Sequence, residues 1–239
     1  MSLDWHKVES KHFIVYYKNA DKAFIKNVIK KSEQYYKNIT NNLGLQRLID
    51  WTQEKRAKIY IYDNRDQYHA NTSQPVWSDG SVIMRMRVIY SFSGAKKFFE
   101  TALPHEMAHI IFREIVGFDN RHIPSWLEEG FSAFQEDIDL AKVEKSLRSA
   151  VEEGSLIGLA HLSSMKVRLI RDESQIDFFF KQSLSIVHYL IKKFGTEKFL
   201  IFCRSLKDSD SLDKALVLAF GFNNIGELEK AWQRYLKNA

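Results

Sequence analysis

Apolar and polar positions follow two different periods along this chain. In the first hundred residues, short runs rich in β-branched and aromatic residues stand between turn signals. The runs at 12–17 (HFIVYY) and 57–62 (AKIYIY) read as strands. Between them Asp21 opens a long amphipathic helix to about 43, stopped by Gly44. Asp63-Asn64 then leads into a short helix at 66–70, and Ser78-Asp79-Gly80 turns into short strands at 81–84 and 88–92. From Ala95 onward the period changes to 3.6 and stays helical for nearly the whole remainder. Helices are expected at 125–137, with Ser125 as cap, and at about 139–152, 175–194, 196–206, 211–220 and 224–237. Pro104 demands either a kink or a restart with Thr101 as the cap. Strands first and helices after predict an α+β fold, a small N-terminal mixed or antiparallel sheet followed by a mainly helical part. We expect one domain with a strand-containing lobe over about 1–93 and a helical lobe over about 94–239, without internal repeats.

Composition narrows the class. With 239 residues, 45% hydrophobic and 27% charged, the chain is expected to be a soluble globular protein with a substantial core. No uncharged apolar run approaches the length of a membrane span. The start lacks a basic segment followed by an apolar one, and a leader removed from the natural protein would leave extracytoplasmic or membrane-associated placement open. The net charge of +5 is mild. Lys22, Lys26, Lys30, Lys31 and Lys37 describe the wet face of the first helix, without interleaved stacking aromatics, so no nucleic-acid partner is expected. The single Cys203 excludes an internal disulfide and, within an apolar run, reads as a buried small hydrophobe. Nothing in these features fixes the oligomeric state.

One stretch carries chemistry. Residues 101–113 read TALPHEMAHIIFR, with His105-Glu106-Met107-Ala108-His109 inside. On a helix the two histidines stand one turn apart and share a face. Two neutral imidazoles at that spacing can hold one Zn2+, and Glu106 is placed to take a proton from the water that such an ion activates. Chance yields H-E-x-x-H roughly 0.02 times in a chain of this composition. Ile110-Ile111-Phe112 make the helix apolar, so a charged Glu106 there needs a purpose. The motif is therefore read as a metal site. A catalytic zinc takes a third protein ligand and keeps an open position. With cysteine excluded by count, the apolar segment 124–134 (PSWLEEGFSAF) supplies two candidate acids, Glu128 and Glu129.

His105-Glu106-x-x-His109 followed by Trp126-Leu127-x-Glu129-Gly130-Phe131 resembles the gluzincin zinc metallopeptidases, in their peptidase MA-like, aminopeptidase-related branch. The resemblance implies a thermolysin-like catalytic domain, Zn2+ as cofactor and a peptide or protein as substrate. In the family's W-L-x-E-G motif the acid directly before Gly is the ligand, which implies His105, His109 and Glu129 as the metal set. Nineteen residues separate His109 from Glu129, one more than in the aminopeptidases, a count that would select Glu128. A loop such as 117–123 tolerates an insertion, so the motif outweighs the count and Glu128 is the fallback. Similar residues recur downstream at 181–195 and 212–236, so that the resemblance covers about 80–239.

Two departures bear on mechanism. Active relatives supply a Tyr hydroxyl to the oxyanion, and the matching position here is Phe180, flanked by Phe178 and Phe179. None can donate a hydrogen bond, and losing one such donor costs on the order of 10²–10³ in rate. Either another donor substitutes, His122 or Arg121, or the protein is a weak or inactive peptidase that serves as a zinc-binding peptide scaffold. Secondly, Gly80-Ser81-Val82-Ile83-Met84 lacks the Glu with which aminopeptidases grip a free N-terminus, so internal cleavage is expected. Zinc chemistry alone leaves a non-peptide amide open as substrate. His122, directly ahead of the Glu129 helix, is the second catalytic candidate after Glu106. Glu136 stands seven residues past Glu129, two turns along the same predicted helix face, and is the candidate to hold a ligand histidine's second N–H. His6, His12, His69, His161 and His188 lack partners at ligand spacing and are read as structural or solvated.

Overall fold

Strict alternation makes Ala57–Tyr62 a strand with two unlike faces: Ala57, Ile59 and Ile61 are fully buried, while Lys58, Tyr60 and Tyr62 are half-exposed. It lies at the centre of a five-stranded sheet in the computed structural model, which describes residues 5–46, 48–74, 78–209 and 211–238. The side chain of Arg168 also lies outside this description. The strands are β1 (His6–Glu9), β2 (Phe13–Tyr17), β3 (Ala57–Tyr62), β4 (Gly80–Ile83) and β5 (Val88–Phe92), in the order β1-β2-β3-β5-β4. The three inner strands pair in parallel and the two edge strands antiparallel, so the sheet is mixed. Strand β1 was not expected, because His6-Lys7-Val8-Glu9 offers only one apolar side chain and joins the sheet through its backbone.

The chain divides into two compact units, the first running to Glu114 and taking in Gln135–Asp137. In it, α1 (Lys22–Asn42) packs on β2 and buries Ile25, Val28, Tyr36 and Ile39. The Asp21 carboxylate caps it by accepting the Phe24 N–H. The short α2 (Arg65–Thr72) is capped in the same way by Asn64. A wide helical turn, Phe98–Ala102, runs into α3 (Leu103–Val116). Pro104 is the second residue of α3, just past this wide turn, and α3 begins at Leu103 and not behind a Thr101 cap. The Thr101 hydroxyl instead donates to the Lys97 carbonyl at 2.9 Å, which corrects the capping expectation.

The second unit, Ile115–Phe134 with the chain from Ile138 onward, is helical: α4 (Ser125–Ala133), α5 (Leu140–Glu153), α6 (Leu159–Ser164), α7 (Glu173–Asp208), α8 (Leu212–Phe220) and α9 (Ile225–Asn238). Helix α7 is two helices joined at Gly195, whose φ of 84° and ψ of 162° are not helical, and this is the break expected between 194 and 196. Helices α4 and α7 approach so closely that a Cβ on Gly130 would stand 2.3 Å from the Ser183 carbonyl oxygen. Only glycine fits there. Buried Trp126 and Trp232 donate their indole N–H groups to Ser163 and Ser185. Cys203 is fully buried, and burial pushes its thiol pKa up, as an inert core residue requires. Six-residue α6 is too short to show a period and was missed. Among the described residues, no helix is long and apolar enough to cross a membrane.

Candidate metal centre

Helix α3 buries Met107, Ala108, Ile110, Ile111 and Phe112 completely, which fixes its rotation. In the strand-bearing unit Glu114 anchors the same helix by accepting from the Trp51 indole N–H and from Arg87. With the register set, Nε2 of His105 lies 3.0 Å from Nε2 of His109, and the ring centroids are 4.7 Å apart. Two ligand nitrogens on one tetrahedral zinc would stand roughly 3.3 Å apart, given Zn–N bonds of about 2.05 Å. The pair therefore fits a shared metal.

The other nitrogen of His105 is committed. Its Nδ1 lies 2.7 Å from Oε1 of Glu136, with both side chains mostly enclosed. A carboxylate can only accept, so Nδ1 carries the proton and Nε2 presents its lone pair toward His109. Glu136 reaches this position by a route other than the expected helix face. Helix α4 ends at Ala133, and the chain leaves it in a turn that brings the Asp137 N–H onto the Glu100 carbonyl at 3.0 Å. The helix expected to 137 is thus cut short by a main-chain hydrogen bond to a segment remote in sequence.

Glu106, one residue on from His105, is half-buried. It lies beside the first residue of β4: a Cβ built on Gly80 would be 3.4 Å from Glu106 Cγ and 3.6 Å from its Oε1. The charge of Glu106 also reaches the buried phenol of Tyr68, whose pKa is raised first by burial and further by that carboxylate. Tyr68 and its partner Ser78 were not singled out from the sequence. No local pattern marks them, because the approach of Tyr68 to Glu106 arises only in the folded chain.

In the helical unit, α4 carries both candidate acids, with Glu128 buried and Glu129 half-buried. Among the described residues, His105, His109 and Glu129 are a group of side chains able to hold a metal ion, each offering one ligand atom. His122 and Arg121 are exposed on the loop ahead of α4 and line a cavity of about 430 Å³ with Asn120 and Lys207. Asn120 shapes this loop: its side chain donates to the Leu206 carbonyl at 2.7 Å and accepts the His122 N–H at 3.0 Å. Phe180, on α7, is half-buried and meets the ring of Phe179 edge-on at 5.9 Å.

The family model described as peptidase MA superfamily matches residues 41–238, a stretch that takes in α3, α4 and every candidate just placed. No curated protein matches the chain.

Proposed function

Because this chain belongs to the peptidase MA superfamily, a group of metal-dependent peptidases, we propose that it is a zinc peptidase of the gluzincin type. In this reading His105, His109 and Glu129 hold one Zn2+, and a fourth position stays open for water and substrate. When bound, the ion would polarise the scissile carbonyl and make water acidic enough to be deprotonated near neutral pH. Glu136 keeps His105 in the tautomer that can bind metal. Glu106 takes the proton from the attacking water and returns it to the leaving amine. The observation that carries the proposal is the pair of Nε2 atoms at 3.0 Å, one of them fixed by Glu136. Ser81, Val82 and Ile83 of β4 present no acid to grip a free N-terminus, which supports internal cleavage of peptides or proteins.

Phe180 favours a second reading, a zinc-binding peptide scaffold with little turnover, since its ring offers the oxyanion no donor. His122 and Arg121 are the alternative donors from the loop ahead of α4. Hydrolysis of a mixed peptide library, with and without a chelator, tests the main reading. We expect chelator-sensitive internal cleavage, equally fast on acetylated and free peptides. If Phe180→Tyr raises kcat by up to roughly 10²-fold, the missing donor limits the rate. If His122→Ala or Arg121→Ala lowers kcat instead, the loop supplies it. Stoichiometric zinc with no cleavage by any of these proteins would favour the scaffold.

A further inference from the structure

Three hydrogen bonds converge on the turn that starts the edge strand β4. The Tyr68 hydroxyl, on α2, lies 3.1 Å from Ser78 Oγ, and that Oγ donates to the Gly80 carbonyl at 2.6 Å. Ser91, on β5, donates its hydroxyl to the Asp79 carbonyl at 2.6 Å. Outside this core Arg65 pairs with the Asp79 carboxylate at 2.7 Å. Tyr68 is wholly buried, its ring wedged against Phe92 at 5.5 Å, so its hydroxyl has a fixed address. Ser78 is also buried. A surface turn needs no such fastening. The residue fastened is Gly80, and its missing side chain leaves the space beside which Glu106 lies: a Cβ there would be in tight contact with Ala102 Cβ at 3.2 Å and touch Glu106 at 3.4 Å.

We propose that Tyr68 and Ser78 are positioning residues, which hold Gly80 as the seat of the Glu106 carboxylate. The proposal rests on the reading of Glu106 as the base. A general base must stand within hydrogen-bond reach of the proton it takes, and a misplacement of about 1 Å can cost on the order of 10²-fold in rate. Glu106 sits on the first two turns of α3 with several rotatable bonds, so its helix alone does not fix its carboxylate. A wall of fixed backbone beside Cγ and Oε1 removes part of that freedom. The chain from Ser78 to Gly80 provides the wall, and the phenol of Tyr68 holds it through the Ser78 hydroxyl.

Tyr68→Phe removes only the hydroxyl and keeps the ring packing, so folding survives. Its kcat should fall about 10-fold, with KM within about twofold and metal content unchanged, because positioning acts on the chemical step. Ser78→Ala should do the same, and the double variant should be no slower than the slower single, since both cut one relay. Gly80→Val should cost about 10²-fold in kcat, by pushing a branched side chain into the seat. Crystal structures of Tyr68→Phe and Gly80→Val should show the Glu106 carboxylate displaced, a readout that needs no turnover. An unchanged kcat in Tyr68→Phe, or a carboxylate unmoved in both crystals, would overturn the proposal. Glu106→Gln separates the two levels. If that variant cleaves as fast as the parent, the general-base reading has failed, and the position of the side chain in the crystals alone decides whether Gly80 is its seat.

Discussion

In the strand-bearing unit His12 and His105 each hold a carboxylate through Nδ1, at 2.6 Å to Glu33 and 2.7 Å to Glu136, yet the two pairs lie in different surroundings. Glu33 is saturated from one side: its Oε1 also accepts the His12 N–H at 2.9 Å and the Ser10 hydroxyl at 2.6 Å. The His12 ring lies over Tyr36 at 4.3 Å, so the pair ties the turn ahead of β2 to α1. It is a structural clamp. Glu136 accepts from the His105 side chain, while the opposite nitrogen of His105 faces a second imidazole 3.0 Å away. His188 and Glu144, at 2.8 Å in the helical unit, repeat the clamp, with Tyr235 as a further donor to the same oxygen at 2.9 Å. A histidine–carboxylate bond therefore says little by itself. The second imidazole set against the opposite ring nitrogen is what marks His105 as a candidate ligand.

The comparison breaks most visibly at the base. Glu106→Gln should keep metal and fold but lower hydrolysis by roughly 10²–10⁴-fold, because an amide cannot accept the proton. Glu33→Gln should leave the rate unchanged. Steady-state rates on one peptide check both, and equal losses would erase the distinction between clamp and site.

Next in size is metal affinity. Glu136→Ala should weaken zinc binding about 10–100-fold, since the tautomer and orientation of His105 are no longer held. Glu33→Ala should lower Tm and leave affinity unaltered. Competition with a chromophoric chelator measures the first, and thermal unfolding of the metal-free protein the second.

The smallest effect is the acid limb of stability. Burial raises the Glu33 carboxyl pKa, but hydrogen bonds from Ser10 and His12 outweigh it and hold the group below its ordinary 4.5. A carboxyl depressed in the folded state adds stability that is fully present above the unfolded value, and that stability is lost as pH falls through the folded one. The Tm of the parent should therefore decline from about pH 4.5 downward more steeply than that of Glu33→Gln. Parallel curves would remove Glu33 from the account.

The sequence made some of this legible and hid the rest for physical reasons. Strand Ala57–Tyr62 was readable residue by residue, since each alternate side chain meets either the core or the outer face. His105, Glu106 and His109 stood out because one helical turn compresses their arrangement into five letters. Glu136 was singled out for holding a ligand histidine, but from a helix that ends at Ala133; the bond from Asp137 to the Glu100 carbonyl has no local signature. Strand β1 and helix α6 escaped because a strand with one apolar residue and a helix of six residues carry no period. Tyr68 and Ser78 escaped for a deeper reason: their role depends on an edge strand meeting a helix more than twenty residues further along the chain. The Gly of W-L-x-E-G, by contrast, has a cause that only packing reveals, the Ser183 backbone against which any Cβ would collide.

The most direct test of the central claim is metal content. Purified parent protein, dialysed against zinc-free buffer, should carry one zinc per chain by elemental analysis. His105→Ala, His109→Ala and Glu129→Ala should each lose it, whereas Glu128→Ala and His12→Ala should retain it. A parent without stoichiometric zinc would contradict the account outright. Zinc retained in Glu129→Ala and lost in Glu128→Ala would contradict the choice of third ligand.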